Sequence, residues 1–420
     1  MLVILREQFE MKLFIILSFI SFVFYSCGGN SRQISIDDTG VIIVPLNFDG
    51  IPSINQLTNM DKNSLSSILN KYSIEITQLV DSVSFIKLET KNECLIGRIS
   101  KVFFIDNRFF IHEKQTSTIL VFDVSGKFLY KFGNKGRGPG EYVQISSFLL
   151  DEKKKMLMIY DDSSRKMIFY LLDGTLVKEI PRFSDGKVIR DIINLPDGRF
   201  ICYKFDYEGE KYPCGVWEVD SLGKVGRYFI KQKTKYPNVF SNETYFYKLQ
   251  EDQVGLWCAD VNDIYHFSDT SSCKYMTLIP NRKTVNDYPN MDNSSNYQMI
   301  KKRKVIEKGN FLITEWNDNK NQFQCTTVYF KKENDMKIAL GLGYGINNIG
   351  AIPGFDVDYN VPNQMMNVIY AQDFDYLKES NYVSEGSKKF LTSFFDKDFE
   401  ENPILQVLYV KNETYLYSKK

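Results

Sequence analysis

The chain has 420 residues, and its 52 Lys+Arg balance 52 Asp+Glu, giving a formal net charge of zero and a sequence pI of about 6.8. That balance excludes the strongly basic surface that nucleic-acid binding needs, and 43% hydrophobic against 25% charged residues excludes a disordered chain. Thirty-two Phe and 26 Tyr stand beside only four Ala (Ala259, Ala339, Ala351, Ala371), a bias away from helix and toward strand.

The N-terminus reads as an export address. Lys12 precedes thirteen mostly apolar residues, Leu13 to Tyr25, which end at Ser26-Cys27-Gly28-Gly29. A basic start, a short apolar run and small residues at its end describe a secretory signal. The run is shorter than the roughly 20 apolar residues that cross a bilayer. Met11 fits as the true start. Cys27 at the cleavage position resembles a bacterial lipobox, of which Phe24-Tyr25-Ser26 is a loose version. That resemblance makes 1–26 a lipoprotein signal peptide and Cys27 the lipid attachment site of the mature chain. The Gly-Gly-Asn-Ser-Arg that follows lacks the acidic cluster of surface-export signals, so the anchor is expected in the bacterial outer membrane, facing the periplasm. Residues 27–56 then read as a lipidated tether. Residues 57–82 read as a lead-in segment, with a short helix over Leu65–Tyr72.

From Val83–Glu89, a strand without a neighbour in sequence, the chain becomes periodic. Val121–Lys127, Phe169–Thr175 and Val219–Lys224 are each a β-rich run closed by a Gly turn, and their glycines lie 48 and 49 residues apart. A second set of turns, Asp106-Asn107, Asp151-Glu152 and Pro196-Asp197-Gly198, keeps a spacing of 45 and 46. Asp, Asn and Gly suit hairpins that need positive φ or a side-chain-capped turn. Each period therefore holds four strands, which is a propeller blade. Six blades are predicted over 97–133, 143–182, 187–231, 245–280, 299–341 and 354–411. The last is interrupted by Asp373–Asp398, whose apolar residues have helical spacing, and ends on the strand Ile404–Val410. Val83–Glu89 is expected to complete it, closing the ring and removing exposed sheet edges. The fold class is thus all-β: a six-bladed β-propeller of four-stranded antiparallel blades over 83–417, closed by an N-terminal strand, with a short helical insertion in the last blade.

Between the first two blades lies Phe132-Gly133-Asn134-Lys135-Gly136-Arg137-Gly138-Pro139-Gly140-Glu141-Tyr142. It lacks the Lys-Ser/Thr and the following helix of a phosphate loop, so nucleotide binding is not expected. Glycines permit unusual φ values and Pro139 fixes one turn, so the run reads as the crossing from one blade to the next. Arg137 and Glu141 would then lie near a channel mouth, either paired to hold the loop or facing a ligand. This run resembles the signature of the six-bladed β-propeller lipoproteins of Bacteroidetes, relatives of the NHL-repeat propellers. Phe85–Thr90 with Leu95-Ile96-Gly97, Ile119–Asp123 with Gly126-Lys127, and Asn402-Pro403-Ile404-Leu405 are similar to other parts of that family. The resemblance covers roughly 80–417 and implies an envelope propeller; it implies no reaction. His112 departs from it, standing where such blades usually carry Asp.

No catalytic set can be assembled. His112 and His266 fall on different predicted blades, no nucleophile elbow is present, and the Asp-box repeats of propeller sialidases are missing. Besides Cys27 there are Cys94, Cys202, Cys214, Cys258, Cys273 and Cys325, with no zinc spacing. Cys202 and Cys214 flank Glu208-Gly209 symmetrically, so a cross-strand disulfide and buried free thiols are both open. Asp161-Asp162, Asn317-Asp318-Asn319 and Asp356 with Asp358 supply oxygen ligands that calcium could use, but Asp and Asn are also ordinary turn residues. No metal or other cofactor is expected, calcium being the one that such a ring would hold. Trp217, Trp257 and Trp316 are expected to fill the wedges between blades. The polar stretch Asn281–Asn296, with Tyr288, reads as a long loop suited to specificity.

The function expected from these features is an envelope-anchored, non-catalytic binding or scaffolding propeller that engages a protein or glycan at one face. The alternative is a calcium-dependent hydrolase or lactonase-like enzyme working at the channel. The membrane is a partner through Cys27, nucleic acid and nucleotide are not partners, and Arg137, Glu141, Tyr142 and Tyr288 are the candidate ligand contacts.

Overall fold

A computed structural model describes residues 34–204, 215–231, 246–249, 253–257, 262–268, 271–284, 300–318, 323–343, 358–371, 392–393 and 401–411. The chain divides into two compact units, one of Gly97–Thr277 with Val285–Tyr297, the other of Met1–Ile96, Leu278–Thr284 and Gln298–Lys420.

The unit beginning at Gly97 is built of antiparallel sheets whose strands lie side by side in chain order. Blade one is Ile99–Ile105, Arg108–Glu113, Thr118–Asp123 and Phe128–Phe132. Blade two is Ser147–Asp151, Met156–Asp161, Lys166–Leu171 and Leu176–Ile180. Blade three is Asp191–Asn194, Phe200–Lys204, Gly215–Val219 and Val225–Lys231. Blade four is Phe246–Lys248, Val254–Trp257, Asp263–Phe267 and Ser272–Pro280, the last strand ending in the other unit.

The first three strands of a blade are covered on both faces, so they are apolar without alternation: Met156–Asp161 is buried at every position but the first. The fourth strand meets water, and Leu176–Ile180 is exposed over its first three residues. Third and fourth strands are joined by one recurring turn. Asp123 N–H bonds the Lys127 carbonyl and Gly126 N–H bonds the Asp123 carbonyl; Asp220, Lys224 and Gly223 repeat this in blade three. Gly126 and Gly223 hold φ of 85° and 86°, where a side chain would be strained. Aromatic rings fill the spaces between blades, as with Phe103 against Phe148 and Phe132 against Tyr170, at 4.9 and 5.4 Å between ring centres.

In the other unit, blade five is Lys301–Lys308, Phe311–Asp318, Phe323–Phe330 and Asp335–Ala339. Blade six has three strands among the described residues: Gln364–Ile369, Ile404–Val410 and Val80–Lys87. The N-terminal strand therefore completes the last blade, with Leu408 opposite Val83. The fold is a six-bladed β-propeller.

The segment expected as a tether is described from residue 34 and is folded there. Ser35–Ile36 pairs with Ile42–Leu46, and Val44, Leu46 and Phe48 are fully buried. Ile42–Leu46 is apolar at every position and buries Val44 and Leu46 on one face, and Phe48 packs 5.8 Å from the Trp316 ring. Two short helices follow, Ile54–Thr58 under a Ser53–Gln56 capping box and Lys62–Lys71 under an Asp61 cap. No helix among the described residues is long and apolar enough to cross a membrane. The helical insertion expected over Asp373–Asp398 lies outside the described residues, apart from 392–393.

Candidate functional site

The glycine-rich run is folded around two carboxylates of its own unit. Asn134–Lys135 pairs in parallel with Glu141–Tyr142, which brings the loop back on itself. Glu141 Oε2 accepts the Gly138 N–H at 2.9 Å and fills the space over Gly136 that a Cβ would need. Glu179 Oε1 accepts the Gly140 N–H at 2.6 Å and pairs with the Lys166 ammonium at 3.0 Å. Tyr170 donates its hydroxyl to the Gly140 carbonyl at 2.8 Å. The amides that could have cradled an external anion are thus taken by internal carboxylates.

Three of the four expected contacts, Arg137, Glu141 and Tyr142, lie on this run. Arg137 and Glu141 do not pair: Arg137 is exposed on the loop, while Glu141 turns inward to the glycines. Tyr142, expected to face a ligand, is 1% exposed and packs in the core against Gly133, and burial pushes its hydroxyl up to about 12. Its ring belongs inside because it packs in one apolar cluster with Phe110, Phe132 and Phe148. Tyr288 and Cys27 lie outside the described residues, as does Cys214. Cys202 is a free thiol, buried opposite Trp217.

A second constellation lies at the ends of the blades where their first strands begin. Glu113 closes the second strand of blade one, and Asp161 closes the second strand of blade two. They do the same work. Glu113 Oε1 accepts the N–H groups of Arg98 and Gln115, both at 3.0 Å, and Oε2 accepts the Thr116 N–H at 2.6 Å and hydroxyl at 2.5 Å. Asp161 accepts the N–H groups of Val143 and Ser163 at 2.8 and 3.0 Å and the Ser164 hydroxyl at 2.8 Å. Each carboxylate ties the segment entering its blade to the turn that follows. For Glu113, burial works against ionisation, but the bonds from Thr116, Arg98 and Gln115 outweigh it and hold the carboxyl below its usual range. Asp161, one of the expected oxygen ligands, is spent in this way, and its neighbour Asp162 pairs with Arg165 at 2.6 Å. Among the described residues, no three His, Cys, Asp or Glu side chains gather as a metal set.

His112 sits beside Glu113, 7% exposed, with Nδ1 2.6 Å from the Ser100 hydroxyl and Nε2 buried without a partner. Burial, then the Lys101 charge, lowers its pKa to about 4, so the ring is neutral at pH 7. His266 is elsewhere, stacked on Tyr275 at 3.9 Å between ring centres. Beyond His112 the ends of these strands carry cations. Lys114 N–H bonds the Arg98 carbonyl at 2.8 Å, and Arg190 N–H bonds the Tyr203 carbonyl at 2.8 Å. Arg98, Lys114 and Arg190 are all exposed. Partial burial, then the guanidinium groups of Arg98 and Arg190, lower the Lys114 pKa. Sequence reasoning missed this trio. The available signal was positional: Arg98 and Arg190 each stand immediately before the first strand of a blade.

The fold and this loop define the class, a six-bladed β-propeller with a glycine-rich crossing between its first two blades. The chain belongs to the family described as Domain of unknown function (DUF4934), which it matches over residues 62–409. Its fold is similar to that of a Bacteroides fragilis protein described as exported, with 19% identity, a TM-score of 0.66, and coverage of 88% of this chain and 100% of that one. It is also similar to a member of the duf4221 family from Bacteroides vulgatus, with 11% identity, a TM-score of 0.50, and coverage of 79% of this chain and 97% of that one. No curated protein matches the chain.

Proposed function

We propose that the chain is an exported lipoprotein whose propeller binds a protein or glycan at the blade ends and does no chemistry of its own. The observation that carries this reading is the division of labour at those ends. Glu113 and Asp161 are saturated by hydrogen bonds within their own blades, and His112 is held neutral. Arg98 and Lys114 have no hydrogen bond or ion pair from their side chains among the described residues. Side chains spent on structure beside unneutralised cations suit holding a ligand better than moving protons. Export and lipid anchoring rest on the signal segment Leu13–Tyr25 and on Cys27, and export, though not the lipid, is in the description of the Bacteroides fragilis protein of similar fold. Membership among NHL-like propellers rests on the four-stranded repeat and the glycine-rich run.

Three measurements test the reading. Thermal unfolding of the purified protein with neutral and acidic glycans should show a rise with one class, whereas calcium and EDTA should leave the midpoint unchanged. Hydrolysis of an ester and lactone panel, abolished by EDTA, would instead support the enzyme. In cells, Cys27→Ser should move the protein out of the membrane fraction; retention there would remove the lipid anchor.

A further inference from the structure

We propose that Asn194, Asp151 and Lys154, at the ends of blades two and three where their first strands finish, form a binding site for the hydroxyl groups of a neutral sugar. The proposal rests on the glycan half of the binding reading above and gives that glycan its place and its charge.

Asp151, Asn194 and Lys248 are the last residues of the first strands of blades two, three and four, and all lie in one compact unit. Ile192 packs with Leu149 and Met158 of blade two. Side chains alternate along a strand, so Asn194 turns the same way as Ile192, and Asp151 the same way as Leu149. The two polar side chains therefore share the gap between blades two and three. Measured distances close that gap at its end. Lys154 Nζ stands 3.3 Å from Asp151 Oδ2, and a Cβ on Gly198 of blade three would come within 3.6 Å of it. Gly198 belongs to the Leu195–Arg199 turn that follows Asn194 directly. From blade four, Lys248 donates to the Leu150 carbonyl of blade two at 3.1 Å. It reaches past the first strand of blade three, which lies between those of blades two and four.

Asn194 is 5% exposed, and its Oδ1 accepts no hydrogen bond. Glu113 and Asp161, also buried at strand ends, are saturated within their own blades; Asn194 is not. A buried acceptor without a donor is costly and points to a group that the ligand or a water supplies. The neighbours decide which ligand. An anion would find Asp151 and Asn194 Oδ1, two acceptors with nothing to donate, and a cation would find the ammonium groups of Lys154 and Lys248. A neutral hydroxyl both donates and accepts. One hydroxyl can donate to Asn194 Oδ1 while accepting from an ammonium group, and a second beside it can donate to Asp151. Adjacent hydroxyls held on a rigid ring are what a sugar presents.

The test is calorimetric titration of the purified protein with maltohexaose, cellohexaose, xylohexaose and trigalacturonate, beside thermal unfolding of two variants, Asn194→Leu and Asn194→Ala. At least one neutral oligosaccharide should bind saturably. Both variants should weaken it tenfold or more, and Lys154→Met should weaken it as well. Lys127→Ala, an exposed cation in a hairpin turn of blade one, should leave affinity unchanged. Removing an unpaired acceptor breaks no hydrogen bond, so at least one Asn194 variant should unfold no earlier than the parent. A lower midpoint in both would make Asn194 a structural group, one held by a buried water included, and would overturn the site. So would saturable binding by none of the neutral sugars, or tighter binding of trigalacturonate than of all three. A neutral sugar that binds but ignores both Asn194 variants would remove this site and leave the binding reading standing. EDTA-sensitive turnover would instead remove the binding reading.

Discussion

The side-chain oxygen of Asn402 accepts the backbone N–H of Ile96 at 2.8 Å across 306 residues of chain. The same side chain donates to the carbonyls of Glu89 and Cys94 at 2.7 and 2.8 Å, and it is 1% exposed. Asn402 therefore fastens the segment leaving the N-terminal strand Val80–Lys87 to the segment leading into Ile404–Val410, the strand beside it in blade six. Asn402→Ala strands three buried backbone groups and should destabilise by about 3 kcal/mol, since each unsatisfied group costs roughly 1–3 kcal/mol and water recovers part of it. Urea unfolding at pH 7 measures this; a loss under about 1 kcal/mol would show that the clasp adds little.

His112 makes stability depend on pH. Its pKa is about 4 in the folded protein against an ordinary 6.5, so the unfolded chain binds the extra proton between those values. Stability should be complete above pH 6.5 and fall as pH drops toward 4, by about 3 kcal/mol for a shift of this size. His112→Asn should flatten that part of the profile. Denaturant titrations at pH 7.5 and pH 4.5 provide the comparison, and identical slopes in both proteins would count against it.

Gly136 and Glu141 should prove energetically coupled. A Cβ at 136 would meet the Glu141 carboxylate, which Gly138 needs as its acceptor. Gly136→Ala should cost about 1–3 kcal/mol. In Glu141→Ala the space is already vacated, so the double variant should lose less than the two single losses combined. Simple additivity in the double-mutant cycle would separate the two residues.

Thiol reactivity should follow burial. Cys94, Cys202 and Cys325 are buried, and burial pushes their thiols up; Cys273 is exposed. Iodoacetamide on the native protein should label Cys273 promptly and the other three only after unfolding. Peptide mapping distinguishes the sites, and rapid native labelling of Cys202 would contradict its place opposite Trp217.

Much of the fold was legible because propeller blades repeat locally. The turns at Gly126, Gly174 and Gly223 mark three blades by themselves, and all three glycines hold the positive φ that the spacing implied. The blade read at 143–182 is Ser147–Ile180, and the one at 299–341 is Lys301–Ala339. The expectation that Val83–Glu89 would complete the last blade came from an unpaired strand at one end and a short blade at the other, and Val80–Lys87 does pair with Ile404–Val410. The segment before it was less legible. Ile42–Leu46 looked like part of a tether because one of its two neighbours in the sheet is far away in sequence, Asn281 bonding the Leu46 carbonyl.

The sequence by itself determined the blade count and the turns, because strand periodicity and glycine conformation are properties of short segments. It could not say which side chains of the glycine-rich run face outward. Only tertiary structure turned Glu141 onto Gly138, buried Tyr142, and brought Glu179 from the fourth strand of blade two to the Gly140 amide. It alone consumed Glu113 and Asp161 in backbone hydrogen bonds while leaving Lys114 exposed to the charges of Arg98 and Arg190. Pairing and desolvation depend on groups that are close in space and distant in the chain, and no local pattern encodes them.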